Sequence, residues 1–334
     1  MRCMPVWQNG ETVELREFTY VSTLAQCGSF TKAAARLFIT QPALSNYINK
    51  LEEELGVKLF DRSSNPLVVT YAGQQYLKRA KVILNQMEDM KREMRDITHH
   101  KTGRLRIGFP SERIIYMLPL ILVPFKEQYP GVDVKVISGP GNRLVESLRE
   151  GDVDFVFLPT WHSYKDIARA KVADEELVLV TARGYLSEEH FLDRKSGVID
   201  WKKVAGMPLV TLNRGHALRA SVDILYRNAG VKPNIVFESH SNMLSCRLAA
   251  QGLGIAIIPE ITLELLKGSM EAEVFHLSEL PVTWEVFALY REGCYVGEVE
   301  QALLEIARKA MNLHKNGCME TRRDYMEFSP QTRL

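Results

Sequence analysis

The feature that most constrains this chain is the stretch GSFTKAAARLFITQPALSNYINKLEEELG, residues 28–56, in which two amphipathic segments are separated by only three or four residues. So short a connection forces two helices to turn sharply and share one core. Ser29 is placed to cap the first, whose Ala33, Ala34 and Leu37 allow a close crossing. Thr40 can cap the second, and Pro42 falls in its first turn, where a missing N–H costs little. Leu44, Ile48, Leu51 and Leu55 recur at steps of four, three and four residues and predict a buried stripe. A preceding segment, ELREFTYVSTLAQCG, carries Leu15, Phe18, Val21 or Ser22, and Ala25 at helical spacing and stops at Gly28, a C-terminal glycine.

That stripe leaves Gln41, Ser45, Asn46 and Asn49 on the outward side of the second helix. The plain alternative is a solvated polar face. A helix pair joined by a short turn is, however, the arrangement that places the start of its second helix in the DNA major groove, where Gln and Asn can bond adenine twice and Ser can reach bases or phosphates. The following VKLFDRSSNPLVVTYAG reads as a small hairpin with Leu59 and Phe60 in the core, a wing whose Arg62, near the tip, can reach a phosphate or the minor groove, the plain alternative being a solvated surface arginine. From residue 71 to 97, Tyr76, Ala80, Ile83, Met87, Met90, Met94 and Ile97 alternate four- and three-residue steps. This is the seam of a coiled coil, and a helix with one narrow apolar seam calls for a partner. The competing reading is a helix packed along its own domain.

The totals exclude several classes. At 334 residues the chain is long for one core, and its 46% hydrophobic and 25% charged residues are those of an ordinary globular protein. The net charge of +1 hides a mild asymmetry: residues 1–103 carry 14 Lys and Arg against 11 Asp and Glu. Charge alone does not identify a nucleic-acid binder. Five scattered cysteines without a CxxC pair read as reduced thiols, not a disulfide frame or a zinc site. The segment MRCMPVWQNGETVEL lacks the apolar core of a signal peptide, and IIYMLPLILVPF is too short to span a bilayer, so a cytoplasmic location is expected. GPGN is not a dinucleotide fingerprint, because Leu144 stands where a third glycine would, and HExxH, P-loop and GxSxG patterns are missing. No catalytic residue, metal ligand or cofactor is expected; His99 and His100, adjacent in the polar THHKTG, read as incidental.

Residues 14–97 resemble the DNA-binding domain and linker helix of the LysR-type transcriptional regulators, through GSFTKAAARLFITQPALS, LEEELGVKLFDR and VTYAGQQYL. The resemblance implies a winged helix-turn-helix at 14–70 and a dimerising linker helix at 71–97. Carried over by position, base and phosphate contacts fall on Gln41, Pro42, Ser45, Asn46 and Arg62, with Ser29, Thr31 and Lys32 near the DNA backbone; Asn49 joins them by its place on the helix. One departure stands out. The position after Ser45 is commonly arginine in the family and is Asn46 here, so fewer counterions are released and binding should be weaker and less salt-sensitive.

From Arg104 strand and helix patterns alternate, as in an α/β domain. RLRIGFP, VDVKVISG and VDFVFLP read as strands with helices YMLPLILVPFKEQYP and GNRLVESLREG between them, and a second series runs from ELVLVTARG to TWEVFALYREG. The expected division is an extension at 1–13, a hinge at 98–103, lobe I at 104–174 and 292–312, lobe II at 177–290, and a mobile tail at 313–334, with strands near 177–183 and 284–291 crossing between the lobes. RIGFPSERIIYMLP, LREGDVDFVFLP and AAQGLGIAIIP resemble the same family's effector domain, which has the two-lobed, type II periplasmic-binding-protein-like fold. Ligands of open α/β sheets bind beyond the carboxyl ends of the strands. That rule selects Ser111, Glu112, Gly141, Asn142 and Thr160 in lobe I, and Asn213, Arg214, His216, His240, Ser241 and Asn242 in lobe II. Arg214 and His216 favour an anionic effector such as a carboxylate; Glu112 opposes one unless it pairs with Arg113 or Arg214.

The resemblance thus implies a cytoplasmic bacterial regulator with promoter DNA, a small effector, further copies of itself as a dimer or tetramer, and RNA polymerase as partners. A cytosolic metabolite sensor acting through protein partners, with the winged helix serving dimerisation, is the alternative.

Overall fold

The computed structural model describes residues 14–64, 66–98, 101–160, 162–193, 198–265, 271–277 and 283–326. The expectations for the extension at 1–13, for His99 and His100, and for the last residues of the tail lie outside the described residues. The chain divides into two compact units, one chiefly of residues up to 98 and one chiefly of residues from 101 onward.

In the first unit, helices α1 (Leu15–Cys27), α2 (Phe30–Leu37) and α3 (Gln41–Leu55) are followed by a two-stranded wing, β1 (Phe60–Asp61) and β2 (Val68–Val69), and by the long α4 (Tyr71–Ile97). Local chemistry sets each boundary. Gly28 ends α1 in the left-handed region at φ 57°, Ser29 Oγ accepts from Lys32 N, and Thr40 Oγ1 accepts from Ala43 N. Leu44, Ile48 and Leu51 are buried with Val21, Leu24, Ala33, Ala34, Leu59 and Phe60 in one core. The turn between α2 and α3 is closed by Phe38, a left-handed residue (φ 56°) whose side chain is 95% exposed.

Glu52 organises the wing. It is 2% exposed, on the inner face of α3, and its Oε1 accepts from the backbone N–H groups of Leu59 (2.8 Å) and Phe60 (3.1 Å). Its Oε2 receives Lys58 Nζ at 3.0 Å and Arg62 Nη2 at 3.4 Å. A buried carboxylate is stable only with such partners. The wing is then joined to α4 with almost no slack: Thr70 N donates to Leu59 O, Thr70 Oγ1 donates to Lys58 O and accepts from Gly73 N, and a Cβ on Gly73 would fall 2.1 Å from the Leu59 carbonyl oxygen.

The α4 seam divides in two. Tyr76 packs on the domain core, with its ring 5.9 Å from that of Phe18, and Ala80 is fully buried, whereas Met90, Met94 and Ile97 are 53%, 50% and 65% exposed.

The second unit holds β3 (Gly103–Phe109), α5 (Arg113–Gln128), β4 (Val132–Ser138), α6 (Gly141–Glu150), β5 (Phe155–Pro159) and β6 (Ile167–Thr181), then a small hairpin of β7 (Phe191–Asp193) and β8 (Val198–Ile199) and a short α7 (Trp201–Val204). There follow β9 (Pro208–Leu212), α8 (Ala217–Ala229), β10 (Asn234–Ser239), α9 (Asn242–Ala250), β11 (Ile255–Pro259), α10 (Ile261–Glu264), β12 (Glu273–His276), β13 (Thr283–Arg291) and α11 (Glu298–Met326). The strands run in the order β10-β9-β11-β6-β13-β5-β3-β4, with β12 also on β6. Lobe I takes β4, β3, β5, β13 and the first part of β6; lobe II takes the last part of β6 with β11, β9, β10 and β12. Strand β6 passes between them: residues 167–176 pair with β13, and Leu177–Thr181 pair with β11 and β12.

Two expectations are corrected. The strand near 284–291 is not a crossing strand: β13 pairs with β5 through Val286–Leu289 and with the lobe I part of β6 along its length. The segment 313–334 is not a tail from its first residue, because α11 continues unbroken to Met326. The helix does return to lobe I, packing on α5 and β6.

Glu52→Ala is expected to destabilise the N-terminal unit by about 2–4 kcal/mol, leaving two buried N–H groups unmatched, and to speed amide exchange at Leu59 and Phe60; Glu52→Gln, which keeps a carbonyl acceptor, should do less. Phe38→Gly should stabilise the same unit by about 0.5–1 kcal/mol, because left-handed backbone costs an L side chain about 1–2 kcal/mol and this side chain forfeits little packing. Thermal melting of the two variants beside the parent checks both signs.

Candidate functional site

On the first unit the sequence-selected residues form one surface at the start of α3. Gln41, Pro42 and Asn46 are exposed, Ser45 and Asn49 are half-buried, and the side chains of Gln41, Ser45, Asn46 and Asn49 enter no hydrogen bond among the described residues. Tyr47, between them, turns back to pack edge-on against Tyr20 at 5.0 Å, and burial raises its hydroxyl pKa. From α2, Thr31 and Lys32 are exposed, while Ser29 is half-buried and spends its Oγ on the helix cap. Arg62 stands on the wing with its guanidinium 4.9 Å from the Phe30 ring centre and its Nη2 on Glu52, a positioned cation with one side still open. The role of Glu52 is not evident in the run LEEELG, where three glutamates look alike; only its coincidence with the buried stripe, one residue after Leu51, sets it apart.

In the second unit the structure brings some of the selected residues together. Glu112, just before α5 in lobe I, reaches α9 in lobe II: its carboxylate accepts from the Ser241 hydroxyl in a short contact, from Asn242 N at 2.9 Å and from Met243 N at 3.4 Å. It therefore pairs with neither Arg113 nor Arg214, and the opening of α9 is its counter-charge. Asn213 Nδ2 lies 2.9 Å from His240 Nε2, and Asn213 N bonds Ser239 O. His216 caps α8 through Nδ1; burial lowers its pKa, with the nearby Glu112 carboxylate opposing and Arg113 and His240 reinforcing that shift. The buried Oδ1 atoms of Asn213 and Asn242 have no hydrogen-bond partner. Ser111 Oγ meets Ser138 Oγ at 3.3 Å.

Other selected residues stand apart. Thr160 is buried and committed to His162 N and Glu285 O, Asn142 bonds only the neighbouring Arg143 N, Gly141 opens α6, and Arg214 is exposed.

Sequence reasoning missed the group beneath. Arg113 forms a two-pronged pair with Glu175 on β6, Nη1 to Oε1 at 2.5 Å and Nη2 to Oε2 at 2.9 Å, with both side chains 5% exposed. Tyr116 donates to the same carboxylate at 3.4 Å, and the guanidinium lies over the Tyr116 and Trp284 rings at 5.4 and 5.7 Å. Burial pulls the Arg113 pKa down, but the adjacent carboxylate outweighs it and the net shift is upward. An arginine directly after the selected Glu112 was the available signal. Among the described residues, no cluster of three His, Cys, Asp or Glu side chains is placed to hold a metal, and no helix is long and apolar enough to cross a membrane.

Two family models match the chain: "Bacterial regulatory helix-turn-helix protein, lysR family" over residues 15–74 and "LysR substrate binding domain" over 98–312. Similar curated proteins include "Uncharacterized HTH-type transcriptional regulator YybE" of Bacillus subtilis, 30% identical over 272 residues (81% of this chain, 88% of that protein). Another is the HTH-type transcriptional activator CmpR of Synechocystis, 27% identical over 291 residues (87% and 93%). Among solved structures, a full-length OxyR point variant of Pseudomonas aeruginosa aligns with a TM-score of 0.66 at 21% identity, covering 90% of this chain and 98% of that one. CbnR complexed with its target DNA aligns at 0.60 and 21%, covering 89% and 100%. The chain belongs to the LysR family of bacterial helix-turn-helix transcriptional regulators and carries both of its domains, one for DNA and one for a small ligand.

Proposed function

We propose that the chain reads promoter DNA through the start of α3, works as a dimer joined along α4 that pairs into a tetramer, and changes transcription when a small anion enters between the two lobes. The carrying observation is the set of unbonded amides on Gln41, Asn46 and Asn49, opposite the buried Leu44, Ile48 and Leu51. Polar groups so placed add little to folding and are free to meet base edges. Lys32 and Arg62 flank them and supply phosphate contacts, which set register more than sequence. The CbnR neighbour was solved on its target DNA, and that supports the same use of this domain.

The exposed Met90, Met94 and Ile97 support dimerisation, since half of a heptad seam stays uncovered in the single chain. The cleft reading rests on Glu112, Asn213, His240, Ser241 and Asn242, which come from strand ends of both lobes, and on the unmet Oδ1 atoms of Asn213 and Asn242. In this reading the protein is cytoplasmic, performs no catalysis, and hands its response to RNA polymerase.

Gln41→Ala is expected to weaken binding to the chain's own upstream DNA by about 1–3 kcal/mol with loss of discrimination at one base position; Lys32→Ala should weaken all sequences alike and lower the salt slope by about one. Gel shifts against specific and scrambled fragments at several salt concentrations separate the two. If no fragment binds specifically at moderate salt, the protein-partnered metabolite sensor takes the place of this reading. Met90→Asp with Met94→Asp should yield monomers by sedimentation and cost operator affinity, while the parent remains a dimer or tetramer.

A further inference from the structure

We propose that Glu112 is a latch: a lobe I carboxylate that occupies the opening of α9 in lobe II, holds the lobes together without a ligand, and must be displaced by an anionic effector. The inference rests on the reading of the inter-lobe cleft as the effector site and adds how that site is regulated.

The contact has the chemistry of a bound ligand. The first N–H groups of a helix have no partner within it and attract anions. At α9 they are met from 130 residues away in the sequence, by Glu112 on Asn242 N, with Met243 N and the Ser241 hydroxyl completing the cradle. Ser241 is itself held in place: its N–H donates to Ser239 Oγ, and its Oγ accepts from Leu244 N. The receiving groups are therefore arranged by lobe II alone, and the carboxylate comes to them.

The delivering side is equally fixed. Arg113, next in the chain, is buried and paired with Glu175 at the crossing of β6, so the first turn of α5 cannot drift from the lobe boundary. Glu112 differs from its neighbour in being only half-buried. Two adjacent residues thus divide the work, one as a permanent anchor and the other as a contact that solvent and solutes can reach.

A tethered carboxylate competes at high effective concentration. An anion that uses the same N–H groups binds only the fraction of molecules with the latch open, and its apparent affinity falls by that fraction. Once displaced, Glu112 returns an uncompensated negative charge to the cleft beside the incoming anion, which favours separation of the lobes. Binding energy is converted into movement by that exchange of one carboxylate for another.

The test uses full-length parent, Glu112→Ala and Glu112→Gln proteins, amide hydrogen exchange, and acetate as the probe. Without acetate, exchange at Asn242 and Met243 should rise about ten-fold or more in Glu112→Ala, and less in Glu112→Gln, whose amide oxygen still accepts. Acetate should then restore protection in Glu112→Ala at a concentration at least about ten-fold below any effect on the parent. Unchanged exchange in both variants overturns the latch. So does a parent that responds to acetate at the same concentration as Glu112→Ala, or an exposed α9 that acetate fails to protect. Acetate protection in Glu112→Ala with no change in the promoter footprint keeps the inter-lobe contact but overturns its displacement as the regulatory step. A metabolite that protects the Asn213 segment equally in parent and variants keeps the cleft and overturns the latch.

Discussion

A guanidinium taken out of water is tolerable only with a carboxylate against it, and at the boundary of the two lobes that requirement ties Arg113 to Glu175. The pair decides much of what surrounds it. It fixes the start of α5 to the one strand that both lobes share, and it brings Tyr116 and Trp284 around the charge. Next to it, the loop after β3 meets the start of α9 through Glu112, and the loops after β9 and β10 meet through Asn213 and His240.

The N-terminal unit solves a parallel problem with a different residue. Helix α3 leaves one side open and still governs a wing too small to have a core of its own. Glu52 supplies the link, since the helix that presents Gln41 and Asn46 outward also projects a carboxylate inward that collects the backbone of Leu59 and Phe60. The open polar face and the support of the wing are thus carried on opposite sides of the same four turns.

Much of this was legible in the sequence, and the limits have physical causes. The start of α3 was readable because Thr40 and Pro42 act locally, and the Leu44, Ile48 and Leu51 stripe has one sensible burial. The run IARAKVADEE, which forms most of the lobe I portion of β6, carried no strand signal: it is rich in alanine and charge, and only pairing with β13 makes it extended. The cleft residues were found by a rule about strand ends, which locates loops but not their partners. It chose Glu112 and Ser241 separately and could not tell that they touch, nor that Thr160 and Asn142 are occupied elsewhere. The Arg113–Glu175 pair escaped because residues 62 apart in the chain meet only through tertiary packing. Likewise the α4 seam was read from its period alone, yet Tyr76 packs on the core of its own domain, and periodicity does not reveal which neighbour covers a face.

The junction at Thr70 and Gly73 bears on how force travels. With the helix backbone pressed against the Leu59 carbonyl and no room for even a methyl group, the joint resembles a weld more than a swivel. A displacement of the first turn of the long helix therefore reaches the wing without slack.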